Sequence, residues 1–561
     1  MGQQQTVEEC KQTLHERLDW EMAERDDAAV AGAIERGEEV DGIYSLEEAG
    51  LLDGFFHWLE EVGVLGQFQQ LQTKGVQRVL YMTIQFVLLY FLKTLFGIES
   101  MNSLPALLLS CGAAMTLVGF NARLIREGAT RRGDDKRKHK EKQGPVSPQT
   151  LGKYICKIPL QAMADCYNGC ILCVAAAGMF PALVGVIMDG SDIETTAKYK
   201  GCGKVKREEK FQDKYGKWRV REVVVYGWKV LVVLEASTRI PIAVKVVQIQ
   251  ESECNYTLEM LDLAQANLGG YSRIVRVVFD RGYLDGETWY EIDRRGIIFV
   301  IPAKSDMQVA SAARGLAYTG GGKGAVRVEK VRRGHGKNSW MEELRTLVVG
   351  LPGLTSYAQY GPAGCAKSQY RKDFVGQKIN AVVVLEWENK EYTRENAVVY
   401  LTNASVEEPF GVFDDYDGRS LIENVTFREG KQGWHLEHAP QKNETGVVLH
   451  VYLTLLVMAL TTAYRRWCRR AVEREAGAAG LAAVEAGGGL VEPCGMRVFR
   501  RQVGQQNRDR VIVFWQGKYG IFSLVEFARL RGLRVKEPEE RRRRGARRGP
   551  GGSERARGPG G

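Results

Sequence analysis

The sequence predicts an α/β fold, α+β overall: a mixed β-sheet with flanking helices, interrupted by a β-rich insertion and preceded by a helical N-terminal region. Three observations support this prediction. Residues 1–180 show mainly the spacing of apolar residues that is typical of helices. From residue 183, Val-rich strand patterns alternate with helical patterns in the order βββαβα and then β. Between residues 319 and 411, short strand patterns follow a Gly-rich turn, which indicates the inserted block.

Shifts in composition along the 561 residues indicate the domain boundaries. We expect a helical region at 1–180, the first part of the α/β core at 181–304, the β-rich insertion at 305–412, the second part of the core at 413–470, a Gly/Ala linker at 471–490, a small C-terminal unit at 491–535 and a disordered basic tail at 536–561. The net charge is +10, and residues 541–561 alone contain eight Arg and one Glu. Such a tail indicates either nucleic-acid binding or simple solvation.

Residues 79–98 form an apolar stretch that comes near the length of a membrane span. The stretch contains Gln85 and Lys93, and nothing else in the chain is convincingly membranous. We therefore expect a wholly buried helix. A membrane protein built on this stretch is the distant alternative.

Three of the 11 cysteines, Cys166, Cys170 and Cys173, lie at helical spacing. No second cysteine pair completes a zinc set, so we expect buried core thiols. The N-terminus lacks the pattern of a signal peptide. Together with free thiols, this favours the reducing cytoplasm.

Two apolar runs each end in a carboxylate. Residues 274–279 precede Asp280, and residues 183–188 precede Asp189. Strand ends of an α/β sheet line the crevice where ligands bind, so we expect the two carboxylates to converge. Converging carboxylates hold Mg²⁺ or Mn²⁺. The alternative for either residue alone is a turn or an N-cap.

A third carboxylate comes from a predicted helix that carries Tyr416, Arg419 and Glu423. At 100° per residue these three side chains project from one face, and Lys431 lies at its edge. Glu429 points about 120° away and is the poorer candidate. The alternative is a set of ordinary surface ion pairs such as Arg419 with Glu423.

Together these phrases resemble a known family. V-I-M-D-G-S-D-I, V-V-F-D-R-G-Y-L-D and Y-D-G-R-S-L-I-E-N-V-T-F-R-E-G-K-Q are similar to the three DDE segments of prokaryotic insertion-sequence transposases with the Tyr-Arg-Glu-Lys signature. The resemblance covers about 183–466. It implies an RNase H-like catalytic core with a β-rich insertion between the second Asp and the Glu. The family pattern places its Lys at Gly430, one residue before Lys431.

The resemblance implies metal-dependent DNA cleavage and strand transfer. Asp189, Asp280 and Glu423 would hold two Mg²⁺ ions, which Mn²⁺ may replace, and these would activate the nucleophile and stabilise the leaving oxygen. Tyr416, Arg419 and Lys431 would bind phosphates near the transposon end.

Several neighbouring residues carry weaker expectations. Arg281 would assist in DNA binding or serve only the turn. Trp387 would stack on a flipped base, although a core tryptophan is the favoured interpretation. His435 and His438, with Glu437, have the composition of a metal site, but we expect exposed polar residues.

The expected partners are double-stranded DNA, at the terminal inverted repeats and at the target, and a second copy in a synaptic homodimer. No membrane partner is expected, and the chain would be cytoplasmic, or associated with the nucleoid when bound to DNA. Residues 1–180 would recognise the ends and form dimer contacts. The basic run at 130–143 is either a solvated loop or a phosphate contact. The alternatives are a non-transposing nuclease of the same fold and an inactive DNA-binding relic.

Overall fold

The computed structural model describes residues 24–45, 52–76, 81–120, 124–125, 145–212, 215–333, 339–365, 376–486 and 510–533. The basic run at 130–143 and the basic tail at 536–561 lie outside the described residues.

The strands, in chain order, are β1 Glu24–Arg25, β2 Gly42–Ser45, β3 Leu183–Thr195, β4 Gly203–Gln212, β5 Trp218–Glu235, β6 Ile240–Gln248, β7 Arg273–Phe279, β8 Ile298–Pro302, β9 Lys323–Arg333, β10 Trp340–Leu354, β11 Ile379–Trp387, β12 Lys390–Glu391, β13 Val398–Thr402, β14 Arg510–Trp515 and β15 Lys518–Ser523. The α-helices are Asp27–Glu35, Leu52–Glu61, Val64–Gln69, Thr83–Leu95, Gly112–Leu117, Pro148–Ile155, Leu160–Ala176, Thr257–Leu268, Gly286–Arg294, Gln308–Tyr318, Pro409–Asp417, Glu429–Gly433, Glu444–Ala486 and Leu524–Leu530. Short 3-10 helices lie at Met101–Ser103, Glu253–Tyr256 and Arg281–Tyr283, and π-helices lie at Pro105–Leu109 and Ile422–Arg428.

A central sheet of 11 strands organises the chain, in the order β4-β5-β3-β7-β8-β13-β11-β10-β9, with β6 on β5 and β12 on β11. β3, β5 and β6 pair in antiparallel fashion, whereas β3, β7 and β8 are parallel. β5 is long enough to pair with β4 along its first half and with β6 along its second. This mixed sheet with helices confirms the predicted RNase H-like fold class.

The β-rich insertion extends the central sheet. Its last strand, β13, pairs in antiparallel fashion with β8, where Tyr400 lies opposite Pro302. β11, β10 and β9 then follow outwards as antiparallel neighbours. The inserted strands continue the hydrogen bonding of the core because β8 would otherwise be an open edge.

The helix Glu444–Ala486 packs against the helices Leu160–Ala176 and Thr83–Leu95 and against β6. In its part Glu444–Trp467 it is long and apolar enough to cross a membrane, but 94% of its apolar window is buried inside the protein. The helix Thr83–Leu95 is buried along almost its whole length, as expected for the apolar stretch at 79–98. Both are core helices of the α/β domain.

Residues 471–486 of the expected linker are helical, because the helix Glu444–Ala486 continues through them. These residues include seven Ala, three Glu and one Arg, against two Gly. Ala, Glu and Arg are strong helix formers, and they outweigh the cost of about 1 kcal/mol for each glycine.

A second, small sheet joins the two ends of the chain, in the order β1-β15-β14-β2. Val30 and Ile34 from the helix Asp27–Glu35 pack with Val511, Val513 and Phe522. The N-terminal segment therefore supplies strands as well as helices, and it completes the small C-terminal unit. A two-stranded hairpin such as β14–β15 is at best marginally stable alone, which explains why it recruits partners.

Candidate active site

Asp189 and Asp280 lie at a step in the central sheet, the point where β7 ends while its neighbour β3 continues. The parallel pairing of β3 with β7 ends at Met188 and Phe279. Asp189 directly follows Met188, and Asp280 directly follows Phe279. β7 stops there, but β3 continues to Thr195 along β5. The expectation that Asp189 ends its strand is therefore wrong, because pairing with β5 extends that strand. The end of β7 is what opens space beside Asp189.

The side chain of Asp189 is almost fully buried. Its Oδ1 accepts a hydrogen bond from the backbone N–H of Gly190 at 2.8 Å, and its Oδ2 accepts one from Nη2 of Arg419 at 3.0 Å. Burial raises the pKa of Asp189 to about 6, against the opposing effects of Arg419 and the Gly190 hydrogen bond. The negative charges of Glu253 and Asp280 add to this rise in pKa. A neighbouring cation therefore favours the ionised form of Asp189.

Asp280 is more open, with 39% of its side chain exposed. Its backbone carbonyl accepts from the N–H of Tyr283 at 3.1 Å, which closes the turn Arg281–Tyr283. The thiol of Cys254 donates to the carbonyl of Gly282 at 3.0 Å and docks this turn on the neighbouring 3-10 helix. The D-R-G-Y phrase thus forms a fixed turn, and Asp280 stands at its start.

Glu423 lies on the π-helix Ile422–Arg428 and 56% of its side chain is exposed. The constant rotation of 100° per residue that was used to align it with Tyr416 and Arg419 is wrong here. Tyr416 belongs to the helix Pro409–Asp417, the chain then turns at Arg419, and the next helix winds with i→i+5 bonds. Such π segments occur frequently at functional sites.

Arg419 brings the three carboxylates together. Its Nη2 lies 3.0 Å from Oδ2 of Asp189, 3.6 Å from Oδ2 of Asp280 and 3.0 Å from Oε1 of Glu423. Burial lowers the pKa of Arg419, but the surrounding carboxylates outweigh burial and the net pKa is raised. Its Nε is buried and has no hydrogen-bond partner among the described residues. One positively charged group can therefore contact all three expected metal ligands at once.

Tyr416 packs against Tyr400 in a tilted arrangement, with ring centroids 4.6 Å apart. Burial raises the pKa of Tyr416, while Arg419 and Arg281 oppose the rise. The aromatic pair thus forms one side of the site next to Asp280. Arg281 is exposed on the turn after Asp280.

Lys431 faces β3. Its Nζ donates to the backbone carbonyl of Asp192 at 2.7 Å and pairs with Glu437 at 2.9 Å. Gly430, where the family pattern has its lysine, is buried, and a Cβ there would lie 3.4 Å from Leu436. A lysine at residue 430 would therefore point into packed core, whereas Lys431 points towards the strand that carries Asp189.

Three residues with weaker expectations, Trp387, His435 and His438, contact residues outside the three carboxylates and Arg419. Trp387, at the end of β11, packs edge-on against Phe413 with centroids 5.3 Å apart. His438 pairs through Nδ1 with Glu99 at 3.0 Å, and His435 lies beside them. Glu99 comes from the N-terminal helical region, so it replaces the expected Glu437 in this exposed cluster.

Sequence reasoning missed Glu253 and Lys229. Glu253 begins the 3-10 helix Glu253–Tyr256 after β6, and its Oε1 lies 3.2 Å from Nζ of Lys229. Both side chains are largely buried. No local pattern points to Glu253, because the residue enters the site only when β6 and β7 lie on opposite sides of β3.

The donor set fits hard divalent cations. Asp189, Asp280 and Glu423 offer carboxylate oxygens, the ligands that Mg²⁺ and Mn²⁺ prefer. Their common contact with one nitrogen of Arg419 shows that a single cation can touch all three. Asp189, Asp280 and Glu423 are thus the residues that could hold a metal.

Comparison with known proteins gives one family. Residues 181–460 match the family model described as the transposase DDE domain. A solved structure that matches the chain is the cryo-EM structure of the piggyBac transposase synaptic complex with hairpin DNA. It is 10% identical, the match covers 76% of this chain and 70% of that chain, and the TM-score is 0.34. No curated protein matches the chain.

Proposed function

Residues 181–460 form a transposase DDE domain, and from this premise we propose that the chain cuts DNA at transposon ends and joins those ends to target DNA in a metal-dependent reaction.

The observation that carries the proposal is the contact of Arg419 with Asp189, Asp280 and Glu423. These three residues come from a strand, a turn and a π-helix that are far apart in the sequence. An ordinary surface ion pair, such as Arg419 with Glu423 alone, would bring only one carboxylate to the arginine. The convergence of three carboxylates on one point is the arrangement that phosphoryl transfer with divalent metals requires.

Asp189, Asp280 and Glu423 would hold two Mg²⁺ ions, or Mn²⁺ in their place. When bound, the ions supply an activated water or 3′-hydroxyl and stabilise the leaving oxygen. The protein itself supplies position and charge. A bound cation would favour the ionised form of Asp189, whose pKa burial raises to about 6. Arg419 partly neutralises the carboxylates in the absence of metal and would turn to a DNA phosphate when metal binds.

Tyr416, Arg419, Arg281 and Lys431 are the proposed DNA contacts. Arg281 and the Tyr416–Tyr400 pair border the open side of the site next to Asp280. Lys431 would contribute mainly by fixing β3, because its Nζ already bonds the carbonyl of Asp192. Stacking of Trp387 on a flipped base requires a face of the ring that Phe413 does not cover.

We further propose the Tyr-Arg-Glu-Lys type of insertion-sequence transposase, a homodimer on paired DNA ends and a cytoplasmic site of action on the nucleoid. Strand transfer joins two ends, which requires at least two active sites in one complex. The match over 181–460 and the phrase around Tyr416, Arg419 and Glu423 support this assignment.

The test is Mg²⁺-dependent cleavage and strand transfer on DNA that carries the sequences flanking the gene. Asp280→Ala and Glu423→Ala should each lose more than about 100-fold in cleavage, since outer partners of metal ligands alone cost about 10- to 100-fold. Glu429→Ala is the matched control, because Glu429 starts the next helical segment, whereas Arg419 forms its ion pairs within the described residues with Asp189, Asp280 and Glu423. Cleavage without strand transfer would instead indicate a nuclease. Binding without cleavage in Mg²⁺ or Mn²⁺ would indicate a relic.

A further inference from the structure

A fourth carboxylate, Glu253, lies beside Asp189 and Asp280. It comes from the 3-10 helix that follows β6, and this helix packs on the turn Arg281–Tyr283 that follows Asp280. The Cys254 thiol, which donates to the carbonyl of Gly282 at 3.0 Å, fixes the two segments to each other. Glu253 is therefore held against the turn that follows Asp280.

Two glycines leave the space that the Glu253 carboxylate occupies. A Cβ on Gly190 would lie 2.8 Å from Oε1 of Glu253, and a Cβ on Gly282 would lie 3.1 Å from Oε2. Neither glycine has a positive φ, so backbone conformation does not require glycine at these positions. The two oxygens of Glu253 thus fit between the residue after Asp189 and the second residue after Asp280.

Charge and burial show that this carboxylate is close to the site. The side chain of Glu253 is only 18% exposed, and among the described residues it forms an ion pair with Lys229, at 3.2 Å. Glu253 is also among the groups that raise the pKa of Asp189. Three aspartate or glutamate side chains therefore meet at this step of the sheet with incomplete neutralisation by Lys229 and Arg419.

A buried hydroxyl points to the same place. Tyr283 is 1% exposed, and its hydroxyl makes no hydrogen bond of ordinary geometry among the described residues, although the Glu253 carboxylate lies close to it. Burial raises the pKa of Tyr283, and the charges of Glu253 and Asp189, together with the hydroxyl's interaction with Glu253, add to this rise. Buried hydroxyls are normally hydrogen-bonded, so Tyr283 marks a polar position beside Glu253 that a further group can complete.

We propose that Glu253 is a fourth carboxylate of the divalent-metal site, acting on the Asp189 side directly or through a metal-bound water, with Lys229 as its partner in the metal-free protein. This inference rests on the proposed function of the site. A purely structural Lys229–Glu253 pair would keep the turn in place but would leave metal affinity unchanged. Metal affinity is therefore the quantity that separates the two interpretations.

The experiment measures Mn²⁺ binding to the full chain without DNA, by electron paramagnetic resonance and titration calorimetry. The site is defined as the Mn²⁺ that is lost in Asp189→Asn. Glu253→Gln should weaken this binding about 10-fold or more, the usual cost of removing an outer partner of a metal ligand. Glu259→Gln is the matched control, because Glu259 lies on the following helix, is 55% exposed and pairs with Lys245.

Lys229→Met should change Mn²⁺ affinity in the opposite direction. Without the lysine, the Glu253 charge is free for the metal, so Mn²⁺ affinity should rise several-fold in the wild-type background and stay unchanged in the Glu253→Gln background. If circular dichroism shows that Glu253→Gln does not fold, Glu253→Asp is the second variant. It keeps the negative charge on a side chain one methylene shorter, so Mn²⁺ affinity should fall by less than in Glu253→Gln.

Wild-type Mn²⁺ affinity in Glu253→Gln, or in Glu253→Asp when the first variant is unfolded, would overturn the inference. That result leaves the proposed function intact as long as Asp280→Ala and Glu423→Ala still abolish cleavage. If those two variants cut like the wild type, the proposed function fails whatever Glu253 does.

Discussion

Nη2 of Arg419 lies 3.0 Å from Oδ2 of Asp189, across 230 residues of sequence. Asp189 is almost fully buried, and only 16% of the Arg419 side chain is exposed. Removing one partner of such a pair leaves a buried charge uncompensated, which costs about 3–5 kcal/mol. The pair therefore both stabilises the metal-free site and occupies the place where a metal would compete.

Arg419→Ala should have opposite effects on metal binding and on cleavage. Removal of a positive charge beside three carboxylates should tighten Mn²⁺ binding several-fold, while loss of the phosphate contact should lower the cleavage rate by more than about 10-fold. Titration calorimetry and end-cleavage rates measure the two effects. Arg428→Ala, which removes an exposed arginine from the same π-helix, is the control. Weaker metal binding in Arg419→Ala would show that the arginine supports the metal site instead of competing with it.

Metal binding should release protons as the pH falls below about 6. The pKa of Asp189 is raised to about 6, chiefly by burial, so the free protein holds a proton there that the metal must displace. Mn²⁺ affinity should then fall about tenfold per pH unit below pH 6. Calorimetry at pH 5.5 in two buffers of different ionisation enthalpy measures the released proton. Equal heats in both buffers would contradict the prediction.

His450 should make the fold sensitive to acid. Its ring is buried, with Nδ1 2.8 Å from the Tyr90 hydroxyl and Nε2 2.8 Å from the His435 carbonyl oxygen. Burial, helped by Lys93 and by the neighbouring His435 and His438, lowers its pKa from 6.5 to about 3. Below pH 6.5, His450 therefore binds a proton in the unfolded chain but stays neutral in the native protein. The free energy of unfolding falls as the pH falls from 6.5 towards 3.

The expected size of this loss is at most about 1.4 kcal/mol per pH unit. His450→Gln should flatten the dependence of unfolding free energy on pH, and His57→Gln, which changes an exposed histidine, should not. Asp189 acts in the opposite direction in the metal-free protein. Its raised pKa means that the native state gains stability as the pH falls from about 6 to 3.8, so Asp189→Asn should make the loss from His450 steeper. An unchanged slope in His450→Gln would rule out this source of acid sensitivity.

Gly282→Ala should act through Glu253. The added Cβ would lie 3.1 Å from Oε2 of Glu253 and shift the carboxylate by a few tenths of an ångström, so Mn²⁺ affinity should fall, by less than in Glu253→Gln. In a Glu253→Ala background the added methyl group meets no carboxylate and should change little. Calorimetry on the four proteins gives a coupling energy, which for contacting residues is typically about 0.5–3 kcal/mol. Additive effects of the two changes would mean that Gly282 serves only the turn.

Much of the catalytic core could be predicted from local pattern. The apolar runs before Asp189 and Asp280 form neighbouring parallel strands, because β-branched runs of this kind are stable chiefly as buried strands. The strand patterns of the insertion were also recognisable. Their continuation of the central sheet was not, since pairing of β13 with β8 depends on which edge is open and not on either sequence alone.

The assumption of a regular α-helix gave a wrong placement of side chains between residues 416 and 423, where the backbone is irregular. The α-helical rotation placed Tyr416, Arg419 and Glu423 on one face, but a turn and a π-helix are what bring Arg419 to Asp189 and Glu423. The Ala-rich segment that resembled a linker is helical because helix propensity prevails over low complexity.

The order of apolar and polar residues along the chain specifies the strands of the core, the buried helices and the three carboxylates. Which charges meet depends on the folded arrangement of distant segments. Glu253 joins Asp189, Glu99 joins His438, and residues 24–45 complete one small sheet with residues 510–523. The reason is physical: hydrophobic periodicity is a local property, whereas burial and Coulomb interaction depend on distances that exist only after the sheet has formed.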